Sequence, residues 1–179
     1  MKIYTRKGDD GTTGLYFGGR VNKNAEPIEV NGVVDEAQAA LGVARALCDP
    51  SDRLNELLVG LERDLWVLMA EVATLPKNRH KLTGGASLVT AVMISHLEDE
   101  IDALSREVTM PTEFVVPGEN LLSAALDVAR TVIRRAERRA VNYPIEGSLV
   151  VSYLNRASDL IWTMARFAEG PQHRTSRRH

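Results

Sequence analysis

Between residues 54 and 72, Leu54, Leu57, Leu58, Leu61, Leu65, Leu68, Met69 and Val72 recur at intervals of three and four. That repeat lines one face of an α-helix with apolar surface, whereas a half-buried strand needs alternation at two. The same interval governs the chain from Pro27 onward, and Pro- and Gly-marked breaks divide it into five helices. The first spans about 29–48, with Val30, Val33, Val34, Ala37, Leu41, Ala44 and Leu47 on its apolar stripe, and Asp49-Pro50 ends it. Ser51 is the expected cap of the second, which stops before Pro76. A polar loop over 76–85 leads to a third helix over about 87–107, and a Pro-bounded connection over 109–118 leads to a fourth over about 120–143. A short turn around Pro144 and Gly147 precedes the fifth, about 148–169. With no competing strand pattern, the expected class is all-α: a five-helix up-and-down bundle with short connections.

The 179 residues, 44% hydrophobic and 26% charged, suit one domain, here residues 1–169. Its first segment, 1–26, is dense in Gly, Thr and Asp without any apolar period and reads as a loop; the polar tail 170–179 reads as disordered. A formal net charge of −2 gives no overall field for nucleic acid or an anionic membrane, so neither is an expected partner and any cationic site must be local. The single cysteine, Cys48, excludes an internal disulfide and any multi-cysteine metal centre, and reads as a small core residue. No stretch matches a signal peptide or a membrane span, which makes the cytoplasm the expected location.

Advancing about 100° per residue, the fourth helix gathers Asp127, Arg130, Arg134, Glu137 and Arg138 into one arc, opposite Leu122, Ala125, Ala129, Val132, Ala136 and Ala140. A solvated face laced with ion pairs is the ordinary reading. Yet RTVIRRAERR draws its positive charge from Arg alone and sets one Glu against it. Guanidinium forks suit phosphate and carboxylate, so the arc calls for an anionic partner. On the fifth helix Asn155, Asp159, Trp162 and Arg166 form a second polar seam, equally readable as buried groups that fix register; Asp35, Gln38 and Arg45 form a third on the first helix. The segment Thr5-Arg6-Lys7-Gly8-Asp9-Asp10-Gly11-Thr12-Thr13-Gly14, with Lys23, offers glycines for close backbone approach, hydroxyls and cations. It has neither the P-loop spacing nor G-x-G-x-x-G, and alone it would be a flexible arm. Beside an arginine-only helix face it suggests a nucleoside triphosphate.

Other chemistries fit poorly. The residues three before His80, His96, His173 and His179 are Lys77, Met93, Gly170 and Ser176, so the paired Glu-x-x-His of a di-iron bundle is absent. His96 and Glu100, one turn apart, are too few for a metal site and read as a surface contact. G-x-S-x-G does not occur.

Four motifs together resemble the PduO-type cobalamin adenosyltransferases: TRKGDDGTTGL at 5–15, NGVVDE at 31–36, FVVPGE at 114–119 with RTVIRRAER at 130–138, and YLNRASDLIW at 153–162. The resemblance runs from residue 2 to about 169 and keeps the family's motif order and approximate spacing. It implies a homotrimer of five-helix bundles, with ATP and corrinoid bound between subunits, that moves the 5′-deoxyadenosyl group of ATP to the cobalt of cob(I)alamin and so makes adenosylcobalamin. By position it implies that Thr5, Arg6, Lys7, Gly8, Asp9, Thr13, Gly14 and Lys23 enclose the triphosphate. Arg134, Arg135, Glu137 and Arg138 would complete the nucleotide site, Glu137 near the magnesium ion or the nucleotide and Asn155 on ATP. Asp35 would pair with Arg130 across the subunit boundary, and Phe114 would crowd the lower face of the corrin ring and displace its lower ligand.

Cob(I)alamin is a nucleophile by its own chemistry, so such a site must align cobalt with C5′ and neutralise the leaving triphosphate; no general base is needed. A reductase and an adenosylcobalamin-dependent mutase are the implied partners. The chain departs from the family pattern at Ala37, Glu119, Ala157 and Trp162, none of them a proposed ligand. Two other readings stay open: a non-catalytic bundle that carries or senses nucleotide or corrinoid, which would have no use for the triphosphate cations, and a structural oligomerisation module.

Overall fold

In the computed structural model, residues 3–171 and 173–176 are described; Met1, Lys2, Gln172 and 177–179, hence the outer part of the tail, lie outside them. A short antiparallel hairpin comes first, β1 Thr12–Gly14 paired with β2 Arg20–Asn22 in the register Thr13 to Val21. Five helices follow: α1 Glu26–Ala46, α2 Arg53–Val72, α3 Ala91–Ser105, α4 Leu121–Val141 and α5 Val150–Glu169.

The helix boundaries differ from the sequence expectation where short-range chemistry decides them. α1 starts three residues early because Pro27 sits in its first turn, where a missing N–H costs nothing. Asp52 rather than Ser51 caps α2: its carboxylate accepts from the Leu54 N–H at 3.1 Å, while the Ser51 hydroxyl donates to Asp49 at 2.7 Å. α3 begins late, at Ala91, capped by Thr90, whose hydroxyl accepts from the Met93 N–H. The residues before it are held elsewhere, since the Ser87 hydroxyl accepts from the Thr83 N–H and Glu71 from the Val89 N–H. Residues Pro76–Lys81 of the expected polar loop form a 3-10 helix, in which Arg79 pairs at 2.9 Å with the fully buried Glu71. Asn120 caps α4 in a reciprocal pair with Ser123.

Cross-contacts fix the helix directions. Arg135 of α4 meets Glu36 while Ala140 lies beside Val30, so α1 and α4 are antiparallel. Arg53 reaches Glu107 and Asp64 faces His96 across α2 and α3, also antiparallel, and Asp127 to Arg166 with Asn155 to Glu137 make α4 and α5 antiparallel. Arg45 to Glu62 and Asn31 to the Met69 carbonyl make α1 and α2 antiparallel as well, so the bundle runs up, down, up, down, up. Val34, Leu41, Leu58, Leu65, Leu68, Leu126, Ile133, Leu154 and Ile161 are buried in its centre, each contributing on the order of 1.5–3 kcal/mol by leaving water.

Three expectations change with this packing. The N-terminal segment is not wholly loop, because residues 12–14 and 20–22 pair. His96 forms no ion pair with Glu100, whose carboxylate is taken by Arg53 at 2.9 Å. Residues 173–176 of the tail are paired rather than disordered, for Val115 and Thr175 form an antiparallel bridge. Cys48 packs half-buried against the core, its thiol directed at the Ala44 carbonyl 3.6 Å away.

Candidate functional site

The hairpin builds a cationic cradle from backbone geometry. Phe17, Gly18 and Gly19 adopt positive φ of 58°, 92° and 101°, a left-handed run that turns β1 back onto β2, and Arg6, before β1, also has a positive φ of 61°. The Lys23 N–H donates to the Gly11 carbonyl at 2.9 Å, and the Lys23 ammonium lies over Gly8, where an added Cβ would come within 3.2 Å of it. Arg20 crosses the hairpin, donating to the Thr12 hydroxyl at 2.6 Å and to the Lys7 carbonyl. Thr5, Lys7, Gly8, Thr12 and Lys23 thus form one compact group. The hairpin is anchored to the bundle where the Tyr16 N–H donates to the Ala73 carbonyl at 3.0 Å, just past the end of α2.

On α4 and α5 the polar seams divide by height. Nearer the hairpin end, Asn155 donates to Glu137 at 2.9 Å, and Arg134 and Arg138 stand exposed beside them, with Arg138 also donating to the Arg134 carbonyl. Farther along, Asp127 accepts from Arg130 at 3.2 Å and from Arg166 at 2.7 Å, and Arg166 also reaches Glu169 at 2.8 Å. The Arg166 side chain is only 2% exposed, and its guanidinium lies 5.7 Å from the centre of the Trp162 ring. Two guanidinium and two carboxylate groups offset one another here, which is what permits charges at this depth.

This second group floors a cavity of about 630 Å3 walled by Phe114, Pro117, Arg130, Trp162 and Arg166. Phe114 stands at its rim, 87% exposed. A wide cavity with aromatic and apolar walls and fixed guanidinium groups suits a large, partly apolar ligand that carries polar substituents.

The family model for cobalamin adenosyltransferase matches residues 3–168. The chain belongs to the cobalamin adenosyltransferase family. Its relatives in that family include the corrinoid adenosyltransferase of Mycobacterium tuberculosis, 39% identical over 174 residues that cover 93% of this chain and 88% of the relative. The corrinoid adenosyltransferase of Citrobacter freundii is 39% identical over 171 residues, 94% and 95% of the two chains. Among solved structures, a phenylalanine-to-histidine variant of the PduO-type ATP:corrinoid adenosyltransferase from Lactobacillus reuteri, complexed with cobalamin and ATP, superposes with a TM-score of 0.86 at 28% identity, covering 98% of this chain and 97% of that one. An arginine-to-lysine variant of the L. reuteri enzyme, complexed with ATP, gives a TM-score of 0.84.

For this family member, the residues singled out in the sequence fall into three spatial groups: the hairpin set with Lys23, the pair Glu137–Asn155 flanked by Arg134 and Arg138, and Phe114 with Arg130 at the cavity. Arg6, Asp9 and Gly14 belong to the hairpin segment and are exposed, and Thr13 is half-buried in β1. Arg135 turns away from Arg134 to contact Glu36 of α1, and Asp35 is exposed. With Glu36 level with Arg135, Asp35 and Arg130 stand about 9 Å apart along the antiparallel axes, so within one chain Arg130 takes Asp127 instead. Sequence reasoning missed Arg20, Glu169 and His173. Arg20 had a signal, since it ends a Gly-Gly turn opposite Gly14; Glu169 and His173 had none, because their environment exists only once α4, α5 and the tail pack.

Proposed function

We propose that this protein binds ATP and a corrinoid and transfers the 5′-deoxyadenosyl group to cobalt, giving adenosylcobalamin and triphosphate. The observation that carries the reading is the aromatic and arginine-walled cavity, with the exposed Arg134 and Arg138 farther along α4 toward the hairpin end, in a chain that matches the family over 3–168. Cobalt(I) supplies the electron pair that forms the Co–C5′ bond; the C5′–O bond breaks, and the triphosphate leaves with its bonding electrons. The protein's part is alignment and charge. Arg134, Arg138, Lys7 and Lys23 neutralise the leaving oxyanion, Thr5, Arg6, Gly8, Asp9, Thr13 and Gly14 wrap the phosphates, Arg135 backs the row, and Asn155 orients the nucleotide through its bond to Glu137.

Among the described residues no group of three His, Cys, Asp or Glu side chains forms a metal cage. A lone carboxylate fits a magnesium ion that arrives on the triphosphate, because Mg2+ keeps water and phosphate oxygens and takes one or two carboxylates. Glu137 would hold it, and the ion would supply further neutralisation of the phosphates. Phe114 crowds the corrin ring from the cavity rim and favours loss of its lower ligand.

The site is completed by assembly into a homotrimer, in which the hairpin of one subunit and α4 of its neighbour share a nucleotide and Asp35 pairs with Arg130 across the boundary. Surface composition supports this: Val43 on α1 and Val128 on α4 are 60% and 59% exposed and stand level with each other, an apolar patch of the kind that assembly buries. No helix among the described residues is long and apolar enough to cross a membrane. Incubation with ATP, Mg2+ and chemically reduced cobalamin tests the reading. The spectrum of adenosylcobalamin should grow in, and a spectrum that stays that of cob(I)alamin overturns it.

A further inference from the structure

Past α5, Gly170 at φ 77° reverses the chain, and residues 173–176 run back along 114–116. The Val116 N–H donates to the Arg174 carbonyl at 2.8 Å, and the Ser176 N–H donates to the Phe114 carbonyl at 2.8 Å. Arg174 and Glu119 add an ion pair at 3.4 Å, with Arg174 83% exposed. Two peptide hydrogen bonds and a solvated ion pair do not hold a surface bridge closed by themselves. The anchor is His173. Its side chain is 6% exposed, and its Nδ1 lies 2.8 Å from Oε2 of Glu169, a side chain wholly removed from solvent. A carboxylate only accepts, so Nδ1 carries the hydrogen. Glu169 gives its other oxygen to Arg166, and Arg166 holds Asp127. The tail is therefore tied through four side chains to the floor of the cavity. The imidazole Nε2 is buried without a partner, a cost that an apolar residue filling the same space would avoid.

Phe114 needs such an anchor. At 87% exposure its ring has almost no packing of its own, so its position is set by its backbone, and that backbone is bonded to the tail. We propose that His173 is a positioning residue for the corrinoid pocket: the Glu169–His173 contact clasps residues 173–176 against 114–116 and so fixes Phe114 at the cavity rim. This rests on the assignment of that cavity to the corrinoid.

The test is His173→Ala in the full chain, read by amide hydrogen exchange and by steady-state kinetics with separately varied ATP and cob(I)alamin. Exchange at Val116 and Ser176 should quicken about tenfold while α4 and α5 amides keep their protection. The KM for cob(I)alamin should rise about fivefold with that for ATP unchanged, a split that general destabilisation would not produce. His173→Asn, whose side-chain amide nitrogen sits the same number of bonds from Cα as Nδ1, should restore both. Unaltered exchange in His173→Ala overturns the clasp. So does an Asn variant that behaves like Ala, and faster exchange with an unchanged corrinoid KM overturns the positioning role. Failure of the unsubstituted protein to make adenosylcobalamin sinks the proposed function instead, and the exchange measurement separates the two.

Discussion

Arg166 and Asp127 meet at 2.7 Å, with side chains 2% and 8% exposed, and this contact joins α5 to α4 directly beneath the cavity. Each partner is shared: Asp127 also receives Arg130, and Arg166 also serves Glu169. Removing the guanidinium leaves two carboxylates in a poorly solvated place, and breaking such a buried pair from one side costs about 3–5 kcal/mol. Arg166→Met should lower the unfolding free energy by about that amount in urea denaturation; a loss under about 1 kcal/mol would show that water reaches the pair.

Arg134 is exposed, and its side chain supports no other element. Arg134→Ala should therefore leave the helical circular dichroism and urea midpoint unchanged. Its kcat for adenosyl transfer should fall about 100- to 1,000-fold, the scale expected when a charge aimed at a developing oxyanion is lost. Unchanged turnover would remove Arg134 from the mechanism.

Phe114→Ala tests the lower-ligand role. Because the ring makes little contact with the fold, stability should not change. Transfer that starts from cob(II)alamin with a reductant should slow more than transfer from chemically prepared cob(I)alamin. Equal slowing of the two would assign Phe114 to binding alone.

Burial pushes the Asp64 carboxyl above its usual range, while the Tyr153 hydroxyl that donates to it at 2.9 Å, and the charge of His96, act against the shift. The folded protein then binds the Asp64 proton more tightly than the unfolded chain does. This group's penalty is absent below the ordinary aspartate pKa, grows as pH rises toward the raised value, and is complete above it. Asp64→Asn keeps an acceptor for Tyr153 and cannot ionise. Its stability relative to the unsubstituted protein should increase across that window and then level off, measured by urea unfolding at a series of pH values. A difference that does not vary with pH would mean that Asp64 is well solvated.

The number, order and apolar faces of the helices were legible from Leu54 to Val72 and in the other segments because a helix repeats its surface every three or four residues, and the chain writes that period locally. The charged arc on α4 was legible for the same reason, and the cationic N-terminal segment was legible from its glycines, hydroxyls and cations instead. What lay beyond the sequence was the choice of partners between separate elements: Arg79 with Glu71, Arg166 with Asp127, and the hairpin closed by Arg20 across Thr12. The capping of α2 by Asp52 instead of Ser51 turned on a contest of short hydrogen bonds that composition leaves equal. Periodicity assigns a residue to a face, but a charge chooses its partner by distance and desolvation. Both are set only when α4, α5 and the returning tail are packed, and that is why Glu169 and His173 gain a role in the folded chain that their place in the sequence does not announce.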